Sequence, residues 1–305
     1  MMLTTKHKMK IARIAQVLVM GARRLVGLGA VTQVSRQRVR WDLDLREGID
    51  FSIWLLGSFE PGTVHTYRKL IQAGDIVLDI GANIGAHTLH LAGCVGPEGK
   101  VVAFEPTDFA FAKLVRNVRL NPALAGRIQC RQEMLVDSDT RTTPAVPLYS
   151  SWPLKQDKDR HNLHCGQLMT TSGARARTLD SAIAELGLPR IDCIKLDIDG
   201  FECGMLRGAR EVLTRWHPTI IMELAPYVLA EQGTSLDELV KLLEAYGYRL
   251  HSASNGQPLA MNAPELLRLI PHGASLNVLV RAPLEQTGTP FQPNATSQDF
   301  RRAAG

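Results

Sequence analysis

Carboxylate side chains stand at the ends of three short apolar segments that the sequence predicts as buried strands. Asp79 belongs to the first segment, Glu105 ends the second and Asp197 ends a third. Apolar runs rich in β-branched residues are typical of a parallel sheet covered on both faces. Because ligands bind at the carboxyl ends of such strands, we expect these acids to face one crevice. There a carboxylate can accept hydrogen bonds from hydroxyl groups or remove a proton from one.

A glycine turn follows the first segment and indicates which ligand the crevice binds. Residues 81–85 read GANIG, with two glycines four positions apart. The dinucleotide fingerprint G-x-G-x-x-G requires glycine where Asn83 and Ala86 stand. The observed spacing suits a nucleoside with an amino-acid tail better than a pyrophosphate, and we predict S-adenosylmethionine as the cofactor. The expected cofactor-binding residues are Asp79, Gly81, Ala82, Asn83, Gly85, Glu105, Glu133 and Met134.

Individual roles follow from the position of each residue. Asp79 is expected to meet the methionine amino group, directly or through water, since a buried acid needs a partner. Glu105 follows the glycines by about twenty residues, where a ribose-binding carboxylate is expected. One carboxylate can accept from both ribose hydroxyls. Glu133 and Met134 are placed at the end of the next strand, residues 127–137, beside the adenine. The alternative for the glycine turn is a tight turn that binds no ligand, and the alternative for Glu105 is an acid on the surface.

Three further acids, Asp197, Asp199 and Glu202, cluster where the fourth predicted strand ends and form the expected catalytic group. If the acceptor of the methyl group is an alcohol, its proton must be removed as the oxygen attacks, so a base within hydrogen-bond reach is useful. We predict Asp197 as the base or the group that orients the nucleophile, and Asp199 as the next candidate. The alternative is that either acid caps the following helix. A second alternative is that the three acids hold a divalent cation, but no second cluster of ligands accompanies them, so no metal is predicted.

Residues 138–175 lack helical and strand periodicity and predict a cover over the acceptor side of the site. Long irregular segments in compact domains are usually functional covers or disordered loops. Trp152 is a candidate for stacking on a sugar ring, whereas His161 and His164 are candidates for a base or a sugar contact. The alternatives are loop packing for the tryptophan and simple solvation for the histidines.

Strands and helical patterns alternate along residues 39–282, which predicts a doubly wound α/β domain. Segments 248–253 and 275–281 read as a closing strand pair in place of one more crossover. That pair fits the mostly parallel, seven-stranded sheet of class I methyltransferases, whose last strand is inserted antiparallel. A single helix is predicted over about residues 202–216. Residues 283–305 are polar and predict a flexible tail.

Residues 1–38 combine basic side chains with an apolar pattern and predict an amphipathic helix or arm. Arg13, Arg23 and Arg24 interrupt the apolar part. Neither a cleaved signal peptide nor a membrane span is therefore expected. Two interpretations stay open: the helix packs on the domain or forms a loose arm, or it docks on an anionic membrane face.

Composition limits the classes of protein to which the chain can belong. The 305 residues are 45% hydrophobic and 21% charged, as in an ordinary globular protein. The formal charge of +5 is mild, and no aromatic residues interleave with basic ones, so nucleic acid is not expected as a partner. The cysteines are scattered without metal-binding spacing, which favours a reduced, cytoplasmic setting, membrane-peripheral if the amino-terminal helix docks. They are Cys94, Cys130, Cys165, Cys193 and Cys203.

Several of these motifs, in this order, resemble the FkbM family of S-adenosylmethionine-dependent methyltransferases over roughly residues 40–255. The matching segments are VLDIGANIG at 77–85, VAFEP at 102–106, TLD at 178–180, IKLDIDGFE at 194–202, LRGA at 206–209 and PTIIME at 218–223. The family usually has Glu where Asp199 stands, and the shorter acid draws the charge back by one methylene. The resemblance implies an O-methyltransferase acting on a hydroxyl of a sugar, glycolipid or secondary metabolite.

Two other functions stay open at this stage. A nicotinamide-dependent oxidoreductase would use the same strand–turn–helix unit, but Asn83 in place of a middle glycine argues against it. A protein that binds the cofactor without catalysis is the second alternative, because Asp199 departs from the family pattern. The acceptor is expected to be a small molecule or a glycan.

Overall fold

The computed structural model describes residues 5–139, 146–154, 161 and 165–283. The strands are β1 Val31–Arg36, β2 Val39–Asp44, β3 Ile76–Ile80, β4 Lys100–Phe104, β5 Ile128–Arg131, β6 Glu133–Leu135, β7 Leu148–Ser151, β8 Gln167–Met169, β9 Arg175–Arg177, β10 Cys193–Leu196, β11 Thr219–Leu224, β12 Arg249–Ser252 and β13 Leu276–Arg281. The helices are α1 Thr5–Leu25, α2 Gly48–Leu56, α3 Pro61–Leu70, α4 Thr88–Cys94, α5 Asp108–Arg119, α6 Pro122–Ala125, α7 Leu179–Leu186, α8 Glu202–Arg207, α9 Arg210–Trp216, α10 Pro226–Glu231, α11 Leu236–Ala245 and α12 Ala263–Leu269.

A seven-stranded sheet in the order β12-β13-β11-β10-β3-β4-β5 forms the centre of the molecule. Neighbouring strands from β11 to β5 pair in parallel. Strand β13 instead runs antiparallel to both of its neighbours, β11 and β12. The predicted fold, a doubly wound and mostly parallel sheet with an inserted antiparallel last strand, is confirmed.

Helices cover both faces of this sheet, which explains why its central strands are apolar throughout. All five residues of β3 are buried. Leu78 and Ile80 belong to a core cluster with residues of α7, α8, α9 and α11, such as Leu239. Val77 belongs to a cluster on the other face, with residues of α3 and α4 such as Leu91. A strand buried on both sides has no polar face, so the alternation typical of half-exposed strands is missing.

A prelude of α1, the β1–β2 hairpin and α2 packs beside the sheet. Two side-chain amides attach β2: Asn117 Oδ1 of α5 accepts from the Asp42 backbone N–H at 2.9 Å, and Asn121, which precedes α6, pairs with both backbone groups of Arg40. Trp41 of β2 is fully buried under this contact. Strand β1 lies within the region predicted as an arm, and the sequence pattern did not predict it.

Two elements differ from the sequence prediction. The single helix expected over residues 202–216 is broken into α8 and α9 at Gly208. A Cβ at Gly208 would lie 2.1 Å from the Val136 carbonyl oxygen, so the chain passes too closely for a continuous helix with a side chain there. Asp180 then caps α9 by accepting from the backbone N–H groups of Glu211 and Val212.

The strand predicted over residues 127–137 is also divided. Only β5 belongs to the central sheet, and β6 pairs in parallel with β9 in a separate two-stranded sheet. Glu133 and Met134 therefore begin a new strand rather than ending the third strand of the sheet, because the chain leaves the sheet at Gln132.

Candidate active site

The carboxyl ends of β3, β4, β10 and β11 meet at a cavity of about 680 Å³, with α1, α2 and β7 on its other sides. One side, here called the cofactor wall, consists of Gly81, Ala82 and Asn83 of the glycine turn together with Glu105 and Thr107, whereas Gly85 is not part of the cavity lining. The opposite side, the acid wall, consists of Asp197, Asp199 and Glu223. The structure thus brings the glycine turn, the acid of β4 and the acids after β10 to one cavity, as the carboxyl-end rule predicts.

Gly81 is required by a backbone contact between the two walls. Its φ is +83°, and a Cβ there would lie 1.8 Å from the carbonyl oxygen of Asp197. The Gly81 and Ala82 backbone N–H groups both donate to the Phe104 carbonyl oxygen at 3.0 Å. No side chain can therefore stand between the turn and the loop that follows β10.

Glu105 is buried in the cofactor wall and is held by three donors. Its Oε2 accepts from the Asn83 backbone N–H at 2.9 Å, and its Oε1 accepts from the backbone N–H and hydroxyl of Thr107. Burial raises the pKa of Glu105 above its ordinary value, and these hydrogen bonds oppose that rise. Since a carboxylate oxygen accepts about two hydrogen bonds, one acceptor position remains, on Oε2. A second ribose hydroxyl would require the Thr107 hydroxyl to turn toward Ser150 Oγ, which is 2.8 Å away.

Asp79 lies behind the cofactor wall and is not among the residues that line the cavity. Its Oδ2 accepts from the Thr88 hydroxyl at 2.5 Å. Among the residues that the structure describes, its Oδ1 has no hydrogen-bond partner. Burial raises the pKa of Asp79 to about 6, against the attraction of the Lys195 ammonium. This geometry favours an indirect contact with a ligand, through water, over a direct one.

Glu133 and Met134 line a small cavity of about 30 Å³ that adjoins the main one at Gly81 and Phe201. The carboxylate of Glu133 is paired with Arg131 at 2.5 Å and with Arg177 at 3.6 Å. Met134, by contrast, offers an apolar surface at the position predicted for the adenine ring.

The acid wall is organised around one buried lysine. Lys195 Nζ lies 2.9 Å from Asp197 Oδ2, and its position in β10 is directly opposite Asp79 in β3. Burial opposes the charge on Lys195, but the surrounding acids, Asp197 first, raise its pKa overall. The carboxylate of Asp197 thus has a fixed cationic partner and a fixed orientation.

Asp199 and Glu223 are the weak acids of this wall. Burial and the negative charge of Asp197 raise the pKa of both carboxyl groups, and Glu223 adds to the effect on Asp199. The Ser275 hydroxyl donates to Glu223. A carboxyl group with a raised pKa is, once ionised, a stronger base than an ordinary carboxylate.

Glu202, the third predicted catalytic acid, does not line the cavity. Its Oε1 lies within reach of the backbone N–H groups of Ile198 and Gly200, at 3.3 and 3.4 Å. Burial raises its pKa to about 7. Glu202 therefore supports the loop that carries Asp197 and Asp199.

The cover residues differ in where they lie. Trp152 lines the cavity and is attached to the start of α2, since its backbone N–H donates to Glu47 and its carbonyl accepts from Gly48. His161 is outside the cavity lining, 3.0 Å from Glu231. His164 lies outside the described residues.

Several residues of the site, Glu223 of the acid wall among them, were not predicted as site residues from the sequence. Thr107 and Ser150 support Glu105, and Glu60 and His87 line the cavity near Lys195. Among the described residues neither ring nitrogen of His87 has a hydrogen-bond partner, and burial lowers its pKa well below the ordinary value. His87 follows Gly85 by two positions, which is the only signal that points to it.

The residues present fit S-adenosylmethionine. The bare backbone at Gly81, the open acceptor position on Glu105 and the apolar side chain of Met134 suit an amino-acid tail, a ribose and an adenine in turn. Within the described ranges, no three His, Cys, Asp or Glu side chains are arranged to hold a metal ion. In the same ranges, no helix has the length and apolar character needed to cross a membrane.

Known proteins resemble this chain at the level of sequence. It is 27% identical to "Methyltransferase sdnD" of Sordaria araneosa over 198 residues, which are 53% of the chain and 74% of that protein. It is also 27% identical over 209 residues to "AMB antimetabolite synthetase AmbE" of Pseudomonas aeruginosa, where the match covers 57% of the chain and 10% of the synthetase.

A solved structure of a methyltransferase FkbM from Methylobacillus flagellatus is 17% identical, with a TM-score of 0.44, and covers 74% of the chain and 49% of that protein. The domain described as "Methyltransferase FkbM domain" matches residues 79–250, which include the glycine turn, Glu105 and the acid wall. This match extends over more than half of the chain. The chain therefore belongs to the FkbM methyltransferase family.

Proposed function

We propose that this protein is an O-methyltransferase that transfers the methyl group of S-adenosylmethionine to a hydroxyl of a sugar, glycolipid or secondary metabolite. The observation that carries the proposal is the shared cavity: the cofactor wall and the acid wall face each other across it. Membership of the FkbM family supports methyl transfer, and the carboxylates opposite the cofactor wall favour a hydroxyl acceptor.

On the cofactor wall, the chain supplies binding and orientation. The open position on Glu105 Oε2 accepts from a ribose hydroxyl, and the turn at Gly81 lets the ligand lie against backbone. When bound, S-adenosylmethionine supplies a methyl group on a positively charged sulfur. Positive charge leaves that sulfur during transfer, so alignment of the acceptor oxygen accounts for much of the catalysis.

On the acid wall, the chain positions the acceptor and removes its proton. Asp197, fixed by Lys195, accepts a hydrogen bond from the acceptor hydroxyl and orients its oxygen. The pair Asp199 and Glu223, whose pKa values are raised, takes the proton. Trp152 provides an aromatic surface on the same cavity for a sugar ring.

Methyl transfer to a panel of hydroxyl compounds tests the proposal. The purified chain is incubated with S-adenosylmethionine carrying a labelled methyl group, and products are analysed by mass spectrometry for a methyl ether. Asp197→Asn is expected to reduce transfer by about a hundredfold or more, while binding of S-adenosylhomocysteine changes little. Asp237→Asn, which alters an exposed acid of α11, is the matched control.

Other outcomes of this experiment would contradict the proposal. Labelled methyl found on nitrogen or carbon would exclude an O-methyltransferase. Binding of S-adenosylhomocysteine without any methylated product across the panel would favour a protein that binds the cofactor without catalysis. Binding of NAD in place of S-adenosylhomocysteine would favour an oxidoreductase.

A further inference from the structure

Helix α1 packs on the other elements of the prelude, the β1–β2 hairpin and α2, through only one of its faces. Met9, Ala12, Ala15, Val19 and Met20 are half-buried against the cluster that contains residues of β2 and α2. The side-chain amide of Gln16 on the same face donates to the Leu45 carbonyl oxygen. This face therefore holds the helix on the domain, as one of the two sequence interpretations expected.

The opposite face of α1 carries a second apolar stripe. Ile11, Ile14, Leu18 and Leu25 are 58%, 59%, 70% and 89% exposed. At about 100° per residue these positions fall on one side of the helix, roughly opposite Met9 and Gln16. Monomeric proteins rarely expose such a contiguous apolar surface unless something binds there.

The charge on α1 indicates what covers this stripe. The helix contains the six basic residues Lys6, Lys8, Lys10, Arg13, Arg23 and Arg24, and it contains no aspartate or glutamate. Pairing with α1 of a second copy would place these like charges side by side without a compensating acid. An anionic lipid surface compensates the charges and takes up the apolar stripe at the same time.

We infer that α1 docks the protein on an anionic lipid surface through the stripe Ile11–Ile14–Leu18–Leu25 with its flanking basic residues. The position of the cavity gives a reason for such docking. Ile11 of the stripe, and the exposed Leu55 and Leu56 of α2, also line the cavity. The cavity therefore opens beside the docking stripe, where an acceptor held in the lipid would enter.

Co-sedimentation of the full chain with lipid vesicles tests this inference and requires no enzymatic activity. We expect binding to vesicles that contain phosphatidylglycerol, weak binding to pure phosphatidylcholine, and release as salt is raised. Ile14→Asp/Leu18→Asp removes the centre of the stripe, and Lys10→Glu/Arg24→Glu reverses two flanking charges. Each pair is expected to weaken binding by about tenfold or more.

The matched control is Leu267→Asp/Leu269→Asp, because these leucines of α12 are also about half exposed but lie outside α1. It is expected to bind vesicles as the natural protein does. Melting temperatures and binding of S-adenosylhomocysteine, which need neither lipid nor acceptor, show that each variant is folded.

Three outcomes would overturn the inference. The first is that the full chain does not sediment with phosphatidylglycerol vesicles. The second is that the α1 substitutions and the α12 control have equal effects. The third is that analytical ultracentrifugation detects a dimer that Ile14→Asp/Leu18→Asp dissociates, since a second copy would then occupy the stripe.

Discussion

The cofactor wall and the acid wall of the cavity differ in how completely their polar groups are partnered. Glu105 receives three hydrogen bonds from Asn83 and Thr107, and the turn beneath it is fixed by backbone contacts. Asp199 and Glu223 instead lie in the wall that contains the Lys195–Asp197 pair and have raised pKa values, and neither ring nitrogen of the nearby His87 has a hydrogen-bond partner among the described residues, its Nε2 lying 3.7 Å from Glu60. The comparison teaches that the cofactor wall is formed in advance, whereas the acid wall is tuned for proton chemistry.

Gly81→Ala is expected to have the largest effect, because it adds a side chain where the cofactor wall contacts the backbone of Asp197. The new methyl group would meet the Asp197 carbonyl oxygen, and the left-handed backbone at this position adds strain. We expect the free energy of unfolding, measured in urea, to fall by about 3 kcal/mol or more. Gly93→Ala in α4 is the control: nothing lies within 4 Å of its added Cβ, and stability should hold or rise. Equal stability of Gly81→Ala and the natural protein would contradict the contact.

Glu105→Gln comes next and tests whether the partnered carboxylate binds the ligand. The amide loses one acceptor oxygen and the negative charge, and its NH₂ group then faces the donors on Asn83 or Thr107. We expect the Kd for S-adenosylhomocysteine, measured by calorimetry, to rise by about tenfold or more. Glu98→Gln, which alters an exposed acid after α4, should leave the Kd unchanged. An unchanged Kd in Glu105→Gln would contradict the binding of the ribose by Glu105.

Glu223→Gln examines the acid wall through pH. The proton acceptor must be ionised, so kcat/KM should rise with pH through the raised pKa of the Asp199 and Glu223 pair, above the ordinary carboxylate range. Removing the charge of Glu223 takes away one cause of the raised pKa of Asp199, so the rise should move to lower pH. The control Glu244→Gln changes an exposed acid of α11. A profile that moves to higher pH would contradict this assignment.

His161→Ala should have the smallest effect. The imidazole lies outside the cavity lining, and its partners are Glu231 and the ring of Tyr149. We expect kcat and KM to change less than about twofold and stability by less than about 1 kcal/mol, since partly exposed ion pairs contribute little. Trp152→Ala, which removes a side chain that does line the cavity, should raise KM for the acceptor. A large loss of kcat in His161→Ala would contradict this expectation and support a role for the histidine as a base.

The sequence predicted those parts of the molecule that depend on local patterns. Buried strands read as continuous apolar runs, so the sheet and the position of Glu105 at its edge followed from the chain alone. Ser150 and His87 were missed because their roles depend on contacts between segments distant in the chain, whereas Thr107 lies only two positions after Glu105. The close approach at Gly208, where the helix is broken, was missed for the same reason, since the carbonyl oxygen that excludes a side chain there belongs to Val136.

The backbone contact between Gly81 and Asp197 has a consequence for how the enzyme can diversify. The Asp197 carbonyl occupies the space that a side chain at residue 81 would take. The glycine turn and the loop that carries Asp197 therefore cannot move independently. We therefore expect substrate preference to vary through the surrounding helices and through the antiparallel strands β7 and β8, which also line the cavity. A shift of the loop that carries Asp197 would also displace the glycine turn and so disturb the binding of S-adenosylmethionine.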